Sequence, residues 1–227
     1  MKSLFRTCLF LALLGLTACA PAPVTPTVFP TSLPAAAAPT AQPLISSAFD
    51  IKMPPSEIVF LAYNNLNKTK THREKGSLST SNQVFTVQAD IIGIDQLYEV
   101  MTPPKGTPSE YLRTGGKTYK KSEKGWEVLA ESENPNAVDL TDNLLKSIKN
   151  AQIEGTETFN GHPTVIISYE LNLTGEPGLG KIWVGLEDGL PYRNITSLKV
   201  GKNASTPQYL NDITFYDFNV EITIPTP

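Results

Sequence analysis

Gln152-Ile-Glu-Gly-Thr-Glu-Thr-Phe159, the pair Asn160-Gly161, and Thr164-Val-Ile-Ile-Ser-Tyr-Glu-Leu171 decide the fold. Asn-Gly between two alternating segments is the strongest short-range hairpin signal, because both residues accept the positive φ angles of a two-residue turn that matches strand twist. In the second arm Val165, Ile167, Tyr169 and Leu171 fall on one face, the period of a half-buried strand. This stretch therefore predicts an antiparallel hairpin with one oily side. That side needs a cover.

Working outward toward the C-terminus, Lys181 to Leu186, an Asp188-Gly189 turn, Tyr192 to Val200 and Leu210 to Ile224 read as further strands. Toward the N-terminus, Thr71 to Thr80 is a polar strand. In Gln83 to Ile91, Phe85, Val87, Ala89 and Ile91 share a face. Leu97 to Thr102 stops at Pro103-Pro104. Tyr111-Leu112-Arg113 meets Gly115-Gly116, and Lys117 to Lys121 turns at Ser122 to Gly125 into Trp126 to Ala130. Two helices interrupt the strands. One opens at Pro54-Pro55-Ser56-Glu57, where proline suits the first turn and a carboxylate suits the positive end of the dipole. Its Ile58, Val59, Ala62, Tyr63 and Leu66 recur at helical spacing, while Phe60 and Leu61 widen the apolar surface and predict enclosure on more than one side. The other helix has Asn136 as N-cap and Leu140, Leu144, Leu145 and Ile148 as its apolar face. With about nine or ten strands joined mostly by hairpins, the expected class is α+β: a curled, incompletely closed antiparallel sheet, a half-barrel wrapped around two main helices.

The first 46 residues belong to delivery, not to the fold. Lys2 and Arg6 precede the apolar run Leu9 to Leu16, followed by Thr17-Ala18-Cys19. That is the order of a secretory signal, too short to span a membrane as a helix. Leu16-Thr-Ala-Cys19 resembles the bacterial lipobox, which implies removal of residues 1–18 and acylation of Cys19 with a diacylglyceryl group and an amide-linked chain such as palmitate. More than one chain is what stable anchoring requires. Residues 19–46 form a tether of Pro, Ala and Thr with Pro21, Pro23, Pro26, Pro30, Pro34, Pro39 and Pro43 and no charge, a composition that does not pack. Residues 47–227 make the folded domain.

Composition removes several function classes. The chain has 19 basic and 22 acidic residues, and the first 18 positions hold two of the former and none of the latter. The remainder, 17 basic against 22 acidic, carries a formal −5, against nucleic acid as a partner. Cys8 and Cys19 are the only cysteines, so processing leaves no thiol for a disulfide, a metal or a nucleophile. His72 and His162 have no ligand spacing and read as solvent-side residues. No metal and no cofactor is expected. Gly175-Glu-Pro-Gly-Leu-Gly180-Lys181 approaches a phosphate loop, but Ile182 stands where Ser or Thr must be, and Ile-Trp-Val-Gly follows where a helix must open. It reads as a hairpin loop. Glu123, Glu127, Glu131 and Glu133 alternate with Lys120, Lys121 and Lys124 as a charged edge. No Gly-x-Ser-x-Gly elbow is present. No catalytic residue is expected, and the protein reads as a non-enzyme. Trp126 and Trp183 read either as core anchors or as rim residues of a pocket.

From Gly116-Lys-Thr-Tyr-Lys-Lys-Ser-Glu-Lys-Gly-Trp126, through a helix and the Asn-Gly hairpin, to Ile182-Trp-Val184 and Asp188-Gly-Leu-Pro191, the order resembles LolA/LolB-like lipoprotein carriers. The lipidated LppX and LprG branch is the most similar. The resemblance covers most of residues 54 to 224 and implies a half-open barrel around helices, with an apolar cavity for acyl chains. It implies carriage or presentation of a lipid or lipidated protein across the envelope, or, as in sensors of the RseB kind, binding of a protein segment by an envelope scaffold. The candidate lining is Phe85, Val87, Ile91, Val165, Ile167, Tyr169, Ile182 and Val184. The expected partners are a membrane through Cys19, an acyl-chain ligand and an envelope protein.

Overall fold

The computed structural model describes residues 49–80, 83–129, 146–173, 176–198 and 209–227. The leader, Cys19 and the tether lie outside the described residues, as do Asn136, Leu140, Leu144 and Leu145. Helix α1 (Pro55–Lys68) precedes β1 (Thr71–Thr80), β2 (Val84–Ile92), β3 (Gln96–Thr102), β4 (Ser109–Thr114), β5 (Lys117–Ser122) and β6 (Gly125–Val128). Then come β7 (Ile148–Phe159), β8 (His162–Leu173), β9 (Glu176–Gly185), β10 (Pro191–Leu198) and β11 (Tyr209–Tyr216). The β7–β8 hairpin turns at Asn160 (φ 50°) and Gly161 (φ 89°), two positive φ angles in succession, as a type I′ turn demands.

All eleven strands form one antiparallel sheet in the order β6-β5-β4-β3-β2-β1-β11-β10-β9-β8-β7. Two meanders, β1 to β6 and β7 to β11, meet at a seam where β1 pairs with β11 from Arg73↔Tyr216 to Thr80↔Tyr209. Among the described residues the edge strands β6 and β7 do not pair with each other, so the sheet is an open half-barrel. At the middle of the seam stands Gly76, opposite Ile213. A Cβ there would lie 1.9 Å from the carbonyl oxygen of Asp212. The two meanders approach closely enough that only glycine fits.

Ile148, expected on a second helix, opens β7; Lys146 and Ser147, the described residues just before it, are helical. The glycine-rich stretch read as a loop is the first half of β9. Its glycines make room for neighbours: a Cβ on Gly180 would fall 2.1 Å from the Tyr169 ring. The last strand ends at Tyr216, because Asp217 (φ 53°) and Asn219 (φ 60°) leave the extended region. Asn219 then donates its amide to the Thr71 carbonyl at 2.8 Å, and its Oδ1 accepts from the Lys70 amide at 2.8 Å. The C-terminal segment is thereby strapped to the α1–β1 junction.

Helix α1 begins after Pro54 with Pro55 in its first turn and Glu57 near its positive end. It buries Ile58, Val59, Ala62 and Leu66. Phe60 is 46% exposed, so the helix is covered on one side and not all round. Its partners are Val165, Ile167, Tyr169, Leu171, Ile182 and Val184, which form the main core with Phe49. Leu66, at the far end, joins Val87, Ile213 and Phe215 in a second cluster across the seam.

The face of the sheet turned away from α1 is laced with ion pairs. Arg193 binds Asp212 through two hydrogen bonds of 2.9 and 2.7 Å, Lys181 meets Glu154 at 2.5 Å, and Arg73 bridges Asp90 and Asp217. Trp183 belongs to this face. Its indole donates to Glu157, and the Arg193 guanidinium lies 5.0 Å from its ring. Trp126 sits edge-on to Tyr98 at 6.4 Å. Neither packs on α1.

Candidate functional site

Residues directly opposite each other in a ladder share a face. One row crosses most of the sheet: Ile167, Ile182, Asn194, Ile213, Gly76, Val87 and Met101, each paired with the next. Side chains two positions along each strand join the same face. Phe85, Val87, Ile91, Val165, Ile167, Tyr169, Ile182 and Val184 therefore all project to the side that carries α1. The structure divides them into two groups. Val165, Ile167, Tyr169, Ile182 and Val184 are packed against α1 and at most 2% exposed. Phe85, Val87 and Ile91 lie on the N-terminal wing, where Val87 and Ile91 are nearly buried and Phe85 is half-buried. Leu78, Leu97 and Met101 extend that apolar surface.

Polar groups interrupt this concave face, and sequence reading missed them. His72, Glu74 and Glu99 stand on β1 and β3 flanking Ile91 and Ala89, and Arg113 on β4 is opposite Leu97. His72 is 7% exposed, correcting its expected solvent position: Thr69 Oγ1 lies 3.2 Å from Nδ1 and Glu74 Oε1 lies 3.4 Å from Nε2. Its ring lies between Phe215 and Phe218, 6.4 Å from each. The signal for Glu99 was present, since Leu97-Tyr-Glu-Val-Met101 alternates and puts Glu99 between two apolar neighbours on one face.

Burial, reinforced by the Glu74 charge and only partly opposed by Arg113, pushes the Glu99 carboxyl up to about 7. Burial likewise raises the Tyr169 hydroxyl to about 12; it donates to Asn194 Oδ1 at 3.2 Å. A raised carboxyl favours the folded state while protonated. Its contribution is full below the unfolded-chain value near 4.3 and is lost as pH rises through about 7, at a slope of at most ~1.4 kcal/mol per pH unit. Glu99→Gln should abolish that slope. Urea denaturation at several pH values between 4.5 and 8 checks it: wild type and variant should diverge with rising pH, and parallel curves would show that Glu99 is not desolvated.

His162 is exposed and stacked on Tyr192 at 4.2 Å, whose hydroxyl donates to Asp188 at 2.7 Å. Glu127 faces Lys120 across the β5–β6 edge and accepts from Ser122 at 2.7 Å; Glu131 and Glu133 lie outside the described residues. Among the described residues, no group of three or more His, Cys, Asp or Glu side chains is placed to hold a metal. A groove of about 390 Å³ on the opposite face includes Glu154, Ser168, Leu179, Lys181, Ile195 and Leu210. Its polar groups already engage one another: Lys181 pairs with Glu154, and the Asn150 amide donates to Glu170 at 2.9 Å.

The described residues form an open eleven-stranded antiparallel sheet folded over one helix, a curled half-barrel. Two solved structures share the fold. LprF from Mycobacterium bovis is 15% identical with a TM-score of 0.54, over 76% of this chain and 96% of its own. The Mycobacterium tuberculosis lipoprotein LppX is 13% identical with a TM-score of 0.52, over 75% of this chain and 98% of its own. No protein-family model and no curated protein sequence matches the chain.

Proposed function

We propose that this chain is an exported, membrane-anchored lipoprotein, held through acylated Cys19, whose half-barrel binds the acyl chains of a lipid or lipidated protein for carriage or presentation. The observation that carries the reading is the division of the concave face. On the β8–β9 side α1 already fills the curve. On the N-terminal wing, Phe85, Leu97 and Met101 are only part-buried beside Val87 and Ile91, and an alkyl chain laid there gains ~0.8 kcal/mol for each methylene removed from water. The groups that meet it are apolar side chains and a few dispersed polar ones, which suits binding and not bond-breaking. The LppX-type fold and the lipobox-like Leu16-Thr-Ala-Cys19 support the same reading. The test is native mass spectrometry of the full lipidated chain released from mild detergent. A discrete mass above that of the protein and its own anchor is expected. Repeated absence of any such adduct would defeat the proposal.

A further inference from the structure

We infer that Arg113 and Glu99 form a polar subsite on the concave face, which receives an ester carbonyl of an acyl glycerol whose chains lie along Phe85, Val87 and Ile91. The inference rests on the acyl-binding reading above and adds the head end of the ligand to it.

Both residues project to the α1 side of the sheet. Glu99 alternates with Leu97 and Met101 on β3, and Arg113 pairs with Leu97 from β4, one diagonal step from Glu99. Ala89, the smallest side chain on its strand, stands directly beside Glu99. Arg113 donates through Nη2 to the Ile94 carbonyl at 3.2 Å, but its Nε–H is buried with no acceptor. No hydrogen bond closes on Glu99 among the described residues. A buried donor without an acceptor is unfavourable and rare in folded proteins. Here one unsatisfied donor, beside a carboxyl in the next strand, borders the apolar strip that the acyl chains would cover. The arrangement is complete only when something brings an oxygen to it.

The charges around the pair select the chemistry of that oxygen. Glu74 faces Glu99 from β1, His72 stands beside Glu74, and Tyr63 of α1 feels the same carboxylate. On β4, Tyr111 lies opposite Glu99, and Lys120 of β5 approaches its ring at 5.9 Å. An anionic group would meet two carboxylates. A cationic one would meet Arg113 and Lys120. A neutral carbonyl suits both donors, accepting from Arg113 Nε and from the Glu99 carboxyl in its protonated form. Because burial raises that carboxyl to about 7, the second hydrogen bond is present in mildly acidic solution and lost above neutrality.

The test compares 1,2-dioleoylglycerol with its dialkyl ether analogue, which has the same glycerol and chains but no carbonyl, titrated into the full chain at pH 6 and pH 8.5. At pH 6 the ester should bind about tenfold more tightly than the ether, the worth of one or two hydrogen bonds. That advantage should shrink several-fold at pH 8.5. Glu99→Gln keeps a neutral donor and should hold the advantage at both pH values, while Arg113→Met should remove most of it at both. Should Arg113→Met fail to fold, the pH profile of Glu99→Gln decides alone. Equal binding of ester and ether at pH 6 overturns the subsite while leaving acyl binding intact. Binding of neither lipid overturns the parent reading instead.

Discussion

Gly76→Ala should be the most damaging single-methyl change in the domain, lowering the unfolding free energy by about 3 kcal/mol or more, because overpacking against backbone has no rotamer escape. The added Cβ would meet the Asp212 carbonyl oxygen at 1.9 Å and the Asp212 and Ile213 backbone at 2.9 Å. None of these atoms belongs to a side chain that could swing aside. The strands must part, and among the described residues this is the one ladder that joins the two meanders. A melting temperature lower by roughly 10 °C is expected for a domain of this size. Thermal unfolding followed by circular dichroism measures it, and a fall of less than 2 °C would mean that the seam is more pliant than its geometry requires.

Ile167→Ala and Phe85→Ala should separate filled core from usable surface, although both residues carry the same sequence signature. Ile167 is fully buried beneath Ile58, Val59 and Ala62. Truncating it leaves a cavity and should cost about 3 kcal/mol, measurable by urea denaturation. Acyl affinity, expressed per folded molecule, should change by less than about twofold, since a residue already covered by α1 gains little further burial from a ligand. Phe85 is only half-buried on the open wing. Its truncation should cost much less stability and weaken oleate binding by about tenfold, from the aromatic surface no longer covered by the chain. If Ile167→Ala proves the stronger binding mutation, the ligand lies under α1 and the proposed division of the face is wrong.

These contrasts show how far the amino-acid sequence was readable. Local chemistry was written plainly: Asn160-Gly161 for the hairpin, Pro55 and Glu57 for the start of α1, Pro103 for the end of β3. Alternation placed all eight candidate residues on one face, because a period of two survives any curvature of the sheet. Alternation does not record what lies above that face, so Ile167 and Phe85 looked equivalent until α1 was positioned. The first half of β9 was misread because Pro177, Gly178 and Gly180 carry loop chemistry, whereas Gly180 in fact yields space to Tyr169 from the neighbouring strand. His72 was misread for a similar reason. Its sequence neighbours are polar, and the rings that bury it, Phe215 and Phe218, arrive from the far end of the chain. Glu99 was the legible omission, since its two-residue spacing from Leu97 and Met101 was there to be noticed. That its neighbours would include Glu74 and Arg113 follows only from the pairing of four strands.

The central claim is that an acyl chain occupies the concave face of the N-terminal wing. A fatty acid carrying a photoactivatable diazirine within its chain, irradiated with the protein and mapped by peptide mass spectrometry, tests it most directly. Adducts are expected in residues 84–102, at Phe85, Val87, Ile91 or Met101, and unlabelled oleate should suppress them. Labelling centred instead on Leu179, Ile195 and Leu210, which border the groove on the opposite face, would contradict the account.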